Sequence, residues 1–108
     1  MKACKAAGVR RIVITSSCAA VQAVADADRP ADQTFDESYW SNPDRPQGMI
    51  PYLKSKTLAE KAAWDFQTAL PDDQKFEVVT ICPSAILGPP LRKEDFTSSM
   101  FVKALMGG

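Results

Sequence analysis

Histidine is absent from this 108-residue sequence. Its absence excludes a Ser-His-Asp triad, a Cys-His pair and a His-Glu-x-x-His metal motif from this stretch. Any proton transfer near neutral pH falls to Tyr, Lys, Asp, Glu or Cys. Cysteine is sparse as well. Cys4, Cys18 and Cys82 are three in number, widely spaced, and form no C-x-x-C pair. Neither a disulfide framework nor a zinc site is expected from them, and they read as reduced thiols of a cytoplasmic protein. No apolar run approaches the ~20 residues of a membrane span, and Met1-Lys2-Ala3-Cys4-Lys5 opens no signal-peptide hydrophobic region. An excess of either charge is missing too, since 13 basic and 13 acidic residues cancel. No nucleic-acid partner and no anionic membrane surface is expected. The remaining composition, 45% hydrophobic and 24% charged, is that of a soluble globular protein of at most one domain.

The stretch with the clearest local signal runs from Tyr52 to Leu70. Pro51 stands just ahead of it, and no proline or glycine interrupts it before Pro71. Rich in Ala, Leu, Lys, Glu and Gln, it predicts a helix of about five turns at ~3.6 residues each. Tyr52 and Lys56 are four apart and so share one face. An ammonium ion one turn away favours the ionised phenol, so Tyr52 could pass a proton to a carbonyl oxygen. Lysine follows tyrosine at this distance often enough by chance that the pair needs support elsewhere in the chain. On the same helix, Ala59, Ala62, Ala63 and Phe66 are expected to pack on a sheet. Lys54, Glu60, Lys61, Asp65 and Gln67 are expected to face solvent.

Upstream, Lys2 to Ala7 reads as a helix end stopped by Gly8. Val9-Arg10-Arg11-Ile12-Val13-Ile14 then reads as a strand buried in a parallel sheet. Thr15, Ser16 and Ser17 fall at its C-terminal end, the edge where open α/β sheets bind ligands. From Ala25 to Pro51, a long irregular loop is marked by Asp26, Asp28, Pro30, Asp32, Asp36, Asn42, Pro43, Asp44, Pro46 and Gly48. Phe35, Tyr39 and Trp40 are expected to anchor it. After the helix, Pro71 to Gln74 is a turn and Phe76 to Cys82 a second buried strand. Pro83 to Pro90 leaves that strand at the same sheet edge as Ser17, Arg92 to Asp95 is a charged loop, and Ser98 to Met106 starts another helix. Strand, helix and strand make a βαβ unit. It brings Ser17, Pro83 and the Tyr52–Lys56 pair toward one edge, where a serine hydroxyl can steady the charge on a substrate oxygen. Taken singly, Ser17 could as well be a turn or cap residue, and Pro83 a strand terminator.

Together, Val9–Ser17, Phe35–Ser41, Tyr52–Trp64 and Pro83–Pro89 make the chain resemble the extended short-chain dehydrogenase/reductase family. The likeness is to its dihydroflavonol reductase, cinnamoyl-CoA reductase and aldehyde reductase branch. The resemblance implies an α/β fold, part of a doubly wound parallel-sheet Rossmann fold, with residues 1–108 as a partial NAD(P)-binding domain. It implies an NADPH-dependent carbonyl reductase acting on a small-molecule aldehyde or ketone. Ser17 matches the serine that polarises the carbonyl and Tyr52 the proton donor. Lys56 matches the lysine that tunes the tyrosine and holds the nicotinamide ribose. Thr15, Ser16, Pro83 and Ile86 fall along the cofactor. Ser98, or Ser99, matches a serine at the cofactor phosphates, and Gln22 a side chain that contacts substrate.

The family fold opens with a Gly-x-x-Gly-x-x-Gly turn that seats the pyrophosphate. The glycines here are Gly8, Gly48, Gly88, Gly107 and Gly108, and none has that spacing. The sequence therefore reads as the middle of a longer protein, without the N-terminal glycine-rich half and the C-terminal substrate-binding portion. Two alternatives stay open. One is a nucleotide-sugar epimerase or dehydratase of the same superfamily, against which Leu53 argues because those enzymes favour a small residue after the tyrosine. The other is an inactive remnant.

Overall fold

Alanine and lysine carry the chain into α1, Lys2–Ala6. Gly8 ends it with φ +64°, a left-handed conformation that glycine adopts without a Cβ penalty. The N–H groups of Gly8 and Val9 donate back to Lys5 and Cys4 at 3.1 Å each. In this computed structural model, residues 1–24, 29, 31–32, 34–44, 51–89 and 97–107 are described. The loop positions Asp26, Asp28, Pro30, Pro46 and Gly48, the charged stretch 92–95, Pro90 and Gly108 lie outside them.

The β-branched run forms β1, Arg11–Thr15, and the second forms β2, Glu77–Ile81. They pair in parallel, with Arg11 opposite Glu77 and Thr15 opposite Ile81. At the start of the register the Arg11 guanidinium donates to the Glu77 carboxylate. Both side chains are largely exposed, so the pair adds little stability. Between the strands, α2 runs from Pro51 to Thr68. Parallel strands joined through a helix make an α/β unit, the arrangement expected of part of a Rossmann-type sheet. A 3₁₀ turn, Asp72–Gln74, leads into β2, and α3 spans Thr97–Leu105.

Two expectations about burial need correcting. Both strands were expected to be buried in a parallel sheet, yet burial alternates along each. Ile12, Ile14, Val78 and Thr80 are half-buried, whereas Val13, Val79 and Ile81 are exposed. That second face is 40–60% exposed at these three side chains. On α2 the buried stripe is Thr57, Glu60 and Ala63; of the expected set Ala63 is buried and Phe66 half-buried, whereas Ala59 and Ala62 are exposed. Lys54 and Asp65 face solvent as expected. Gln67 is half-buried and donates to the Phe76 carbonyl at 3.3 Å. Phe76 is buried at the entry to β2 and packs near Phe66, with ring centroids 6.5 Å apart.

Beyond β1, a 3₁₀ turn at Cys18–Ala20 packs against α2. Ala19, Ala20 and Val24 are buried there. Ser41 ties the long loop to this turn. Its Oγ donates to the Ala19 carbonyl and accepts from the Ala23 N–H, each at 2.8 Å. Its own N–H donates to the Ala20 carbonyl at 2.8 Å. Trp40 holds the next point of the loop, with the Lys61 ammonium 5.2 Å from its ring centroid, within cation–π range. This contact explains why Lys61 is half-buried despite its charge. Phe35 and Tyr39 meet edge to face at 5.4 Å within the loop itself, so the aromatic contact that ties the loop to α2 is that of Trp40.

Candidate active site

Proline at the first position starts α2 without losing a hydrogen bond, and this places Tyr52 in the first turn. Tyr52 is 55% exposed, so its phenol is open to a ligand and is no part of the core. One turn on, the Lys56 ammonium lies 5.8 Å from the Tyr52 ring centroid. Lys56 is half-buried and Thr57 beside it fully buried, with the Thr57 hydroxyl bonded back to the Leu53 carbonyl at 2.8 Å. Helical spacing thus brings phenol and ammonium together on the exposed end of a helix whose next turns are packed.

Ser17 follows β1 in extended conformation and caps the 3₁₀ turn. Its hydroxyl oxygen accepts from the Ala19 N–H at 3.2 Å. Accepting there leaves its own proton free for another acceptor. Ser16 differs. Its hydroxyl donates to the Glu60 carboxylate, and both groups are buried. Of the adjacent serines, only Ser17 therefore keeps a proton for a ligand. The Ser16 side chain points inward, leaving any cofactor contact at that position to its backbone. Thr15 is exposed at the strand end. No hydrogen bond joins Ser17 to Tyr52 among the described residues. The two belong to neighbouring elements, the capped turn and the helix packed on it.

Backbone bonds hold the two strand ends side by side. Ser16 donates to the Ile81 carbonyl at 2.7 Å, and Cys18 to the Pro83 carbonyl at 3.0 Å. Pro83 is half-buried, and the chain then runs out irregularly to Ile86, which is 67% exposed and offers an uncovered apolar side chain. Ser98 and Ser99, near the start of α3, line a cavity of about 380 Å³ with Leu87, Gly88, Val102 and Lys103.

Glu60, expected on the solvent side, is instead 5% exposed. Besides Ser16, it accepts from Trp64 Nε1 at 3.4 Å and from the Cys82 thiol at 3.7 Å. Burial comes first in pushing the Cys82 thiol up, followed by the charge of Glu60 and the bond donated to it. The Ser16 hydroxyl and Ser17 backbone N–H pull weakly the other way. Cys82 is thus a neutral thiol at physiological pH and no nucleophile. Sequence spacing held a partial signal for Glu60. It lies one turn beyond Lys56 and three residues from Thr57, and a Thr-Ser-Ser strand end offers hydroxyl donors.

A cavity of about 680 Å³ adjoins this cluster, walled by Gln22, Phe35, Tyr39, Trp40, Trp64 and Cys82, among others. Gln22 is exposed and opens into it. Ser17, Tyr52 and Lys56 do not line it. Asp36 on its rim is held below the usual carboxylate range by the Ser38 hydroxyl and backbone N–H. Among the described residues no cluster of His, Cys, Asp or Glu could hold a metal ion.

The chain is similar in sequence to known proteins. A cinnamoyl-CoA reductase of Medicago truncatula is 35% identical over 105 residues, covering 96% of this chain and 31% of that one. A dihydroflavonol 4-reductase of Arabidopsis thaliana is 38% identical over 95 residues, 82% of this chain and 22% of that one. An NADPH-dependent methylglyoxal reductase of Saccharomyces cerevisiae is 36% identical over 108 residues, covering 91% and 31% respectively. No family model matches the chain. The chain belongs to the extended short-chain dehydrogenase/reductase family, in the branch of the dihydroflavonol and cinnamoyl-CoA reductases. It spans between 22% and 31% of the length of these relatives.

Proposed function

We propose that the full-length protein is an NADPH-dependent carbonyl reductase and that Tyr52, Lys56 and Ser17 carry its proton chemistry. The observation that supports this best is the Lys56 ammonium beside the open Tyr52 phenol, on a helix packed against the turn that Ser17 caps. In this reading the Tyr52 hydroxyl donates its proton to the carbonyl oxygen. Ser17 donates a hydrogen bond to the same oxygen with the proton its cap leaves free. Lys56 sets its ammonium beside the Tyr52 ring and holds a ribose hydroxyl.

The residues suit a dinucleotide. Lys56 offers a cation at the helix end, Ile86 an uncovered apolar side chain, and Ser98 or Ser99 hydroxyls beside Gly88. The backbone of Thr15, Ser16 and Pro83 would run alongside. When bound, NADPH supplies the hydride that reduces the carbonyl carbon. The relatives' names add support, since all three are reductases and one is NADPH-dependent. Their names also suggest the substrate class: small carbonyl compounds such as methylglyoxal, a dihydroflavonol or a cinnamoyl thioester. Three free cysteines fit a reducing cytoplasm. The test is NADPH consumption by the purified full-length protein with these three carbonyl probes. At least one is expected to be reduced. NADPH that stays unoxidised with all three would refute the reading.

Gln22 opens onto the aromatic-walled cavity, away from the proton-transfer pair. It tunes the choice of substrate and not the chemical step. Gln22→Ala is expected to change the ratio of kcat/KM values among the three probes. An equal fall for all of them would remove that role.

A further inference from the structure

We propose that Glu60 is the positioning residue of this site, locking α2 to both strand ends so that Tyr52 and Lys56 stay in register with Ser17. The inference rests on the reductase reading above. Glu60 is 5% exposed, and the ion pairs among the described residues, Arg11–Glu77, Lys54–Asp44 and Lys75–Asp72, do not include it. A buried carboxylate without a cation is costly to hold unless hydrogen bonds replace its water. Its three partners are all donors, and they come from three elements. Ser16 precedes Ser17 at the end of β1, Cys82 precedes Pro83 at the end of β2, and Trp64 lies on α2 itself.

Glu60 sits two turns beyond Tyr52 and one beyond Lys56 on the same rigid helix. A shift of α2 along or about its axis therefore breaks the Glu60 bonds and moves the phenol together. The carboxylate also takes the only hydroxyl proton that Ser16 has. Ser16 is thereby removed as a competing donor, and Ser17 is left as the hydroxyl for the ligand. An apolar side chain at 60 would fill space without fixing either relation.

Glu60→Gln keeps the shape but turns one acceptor atom into a donor facing donors. Ser16→Ala removes one partner and keeps the charge, so it serves if the first variant folds poorly. In the full-length protein, NADPH-binding sites are counted by fluorescence titration, and kcat with the best of the three carbonyl probes is expressed per site. A misplacement of about 1 Å can slow a reaction by ~10²-fold. Glu60→Gln is expected to lower kcat per binding site by about ten-fold or more, with the NADPH Kd changed less than about two-fold. Ser16→Ala is expected to shift kcat in the same direction by less. A merely structural role would reduce the number of sites and leave kcat per site alone. That outcome in both variants, beside an active wild type, overturns the role of Glu60 only. A wild type that oxidises no NADPH overturns the reductase reading and this inference with it.

Discussion

Replacing Tyr52 with phenylalanine in the full-length protein is expected to lower kcat by ~10²–10⁴-fold, the loss typical of removing a general acid. The substitution keeps the ring, and with it the contact to the Lys56 ammonium at 5.8 Å from the centroid. Tyr52 is exposed in the first turn of α2, so the change leaves the packed part of the helix intact. No histidine exists in this stretch to take over as acid. Lys56→Met keeps the stem and removes the charge. It is expected to weaken NADPH binding as well as to slow turnover. Because the proposed mechanism uses both residues in one step, the double variant should be little slower than Tyr52→Phe alone. Steady-state kinetics of the four proteins check this. Penalties that multiply would mean that the two residues act independently.

The second large effect is expected at Ser41. It is fully buried, and its hydroxyl bridges the Ala19 carbonyl and the Ala23 N–H. Ser41→Ala removes both bonds in one step and leaves two backbone groups without a partner. Each such group, when buried, costs about 1–3 kcal/mol. A loss of about 2–4 kcal/mol is expected, a large share of the ~5–15 kcal/mol that holds a typical domain folded. Equilibrium urea unfolding of wild type and variant measures it. The same bonds hold the turn that Ser17 caps, so kcat should fall as well. A change in stability below about 0.5 kcal/mol, the size of an ordinary surface substitution, would show that water replaces the lost hydroxyl without penalty.

Much of this architecture was legible from local pattern. The proline ahead of a helix-forming run marked α2, and the four-residue spacing placed Lys56 beside Tyr52. Gly8 marked the end of α1, and the β-branched runs marked both strands to within a residue or two. What escaped was set by distant partners. Glu60 is charged and sits on a helix, which by itself predicts solvent. Its burial depends on a serine 44 residues away in sequence. Ser41 looked like one more polar loop residue, yet it bonds to a carbonyl 22 residues back. The stripe of α2 that faces inward also had to be seen, because alanines and polar residues alternate too evenly along it for apolar spacing to choose between faces. The candidates Tyr52, Lys56 and Ser17 came from local spacing and strand-end position alone. The reason that Ser17 and not Ser16 offers its proton lies in the Glu60 contact, which no spacing rule contains.

Isotope tracing tests the central claim most directly. The full-length protein and its Tyr52→Phe variant would each be incubated with a ketone probe, the dihydroflavonol, and NADPH deuterated at the transferable position, and the product alcohol read by mass spectrometry. The account predicts deuterium at the carbinol carbon with wild type, predominantly in one stereoisomer, and almost no product with the variant over the same time. Unlabelled alcohol from wild type, or labelled alcohol formed equally fast by the variant, would contradict it.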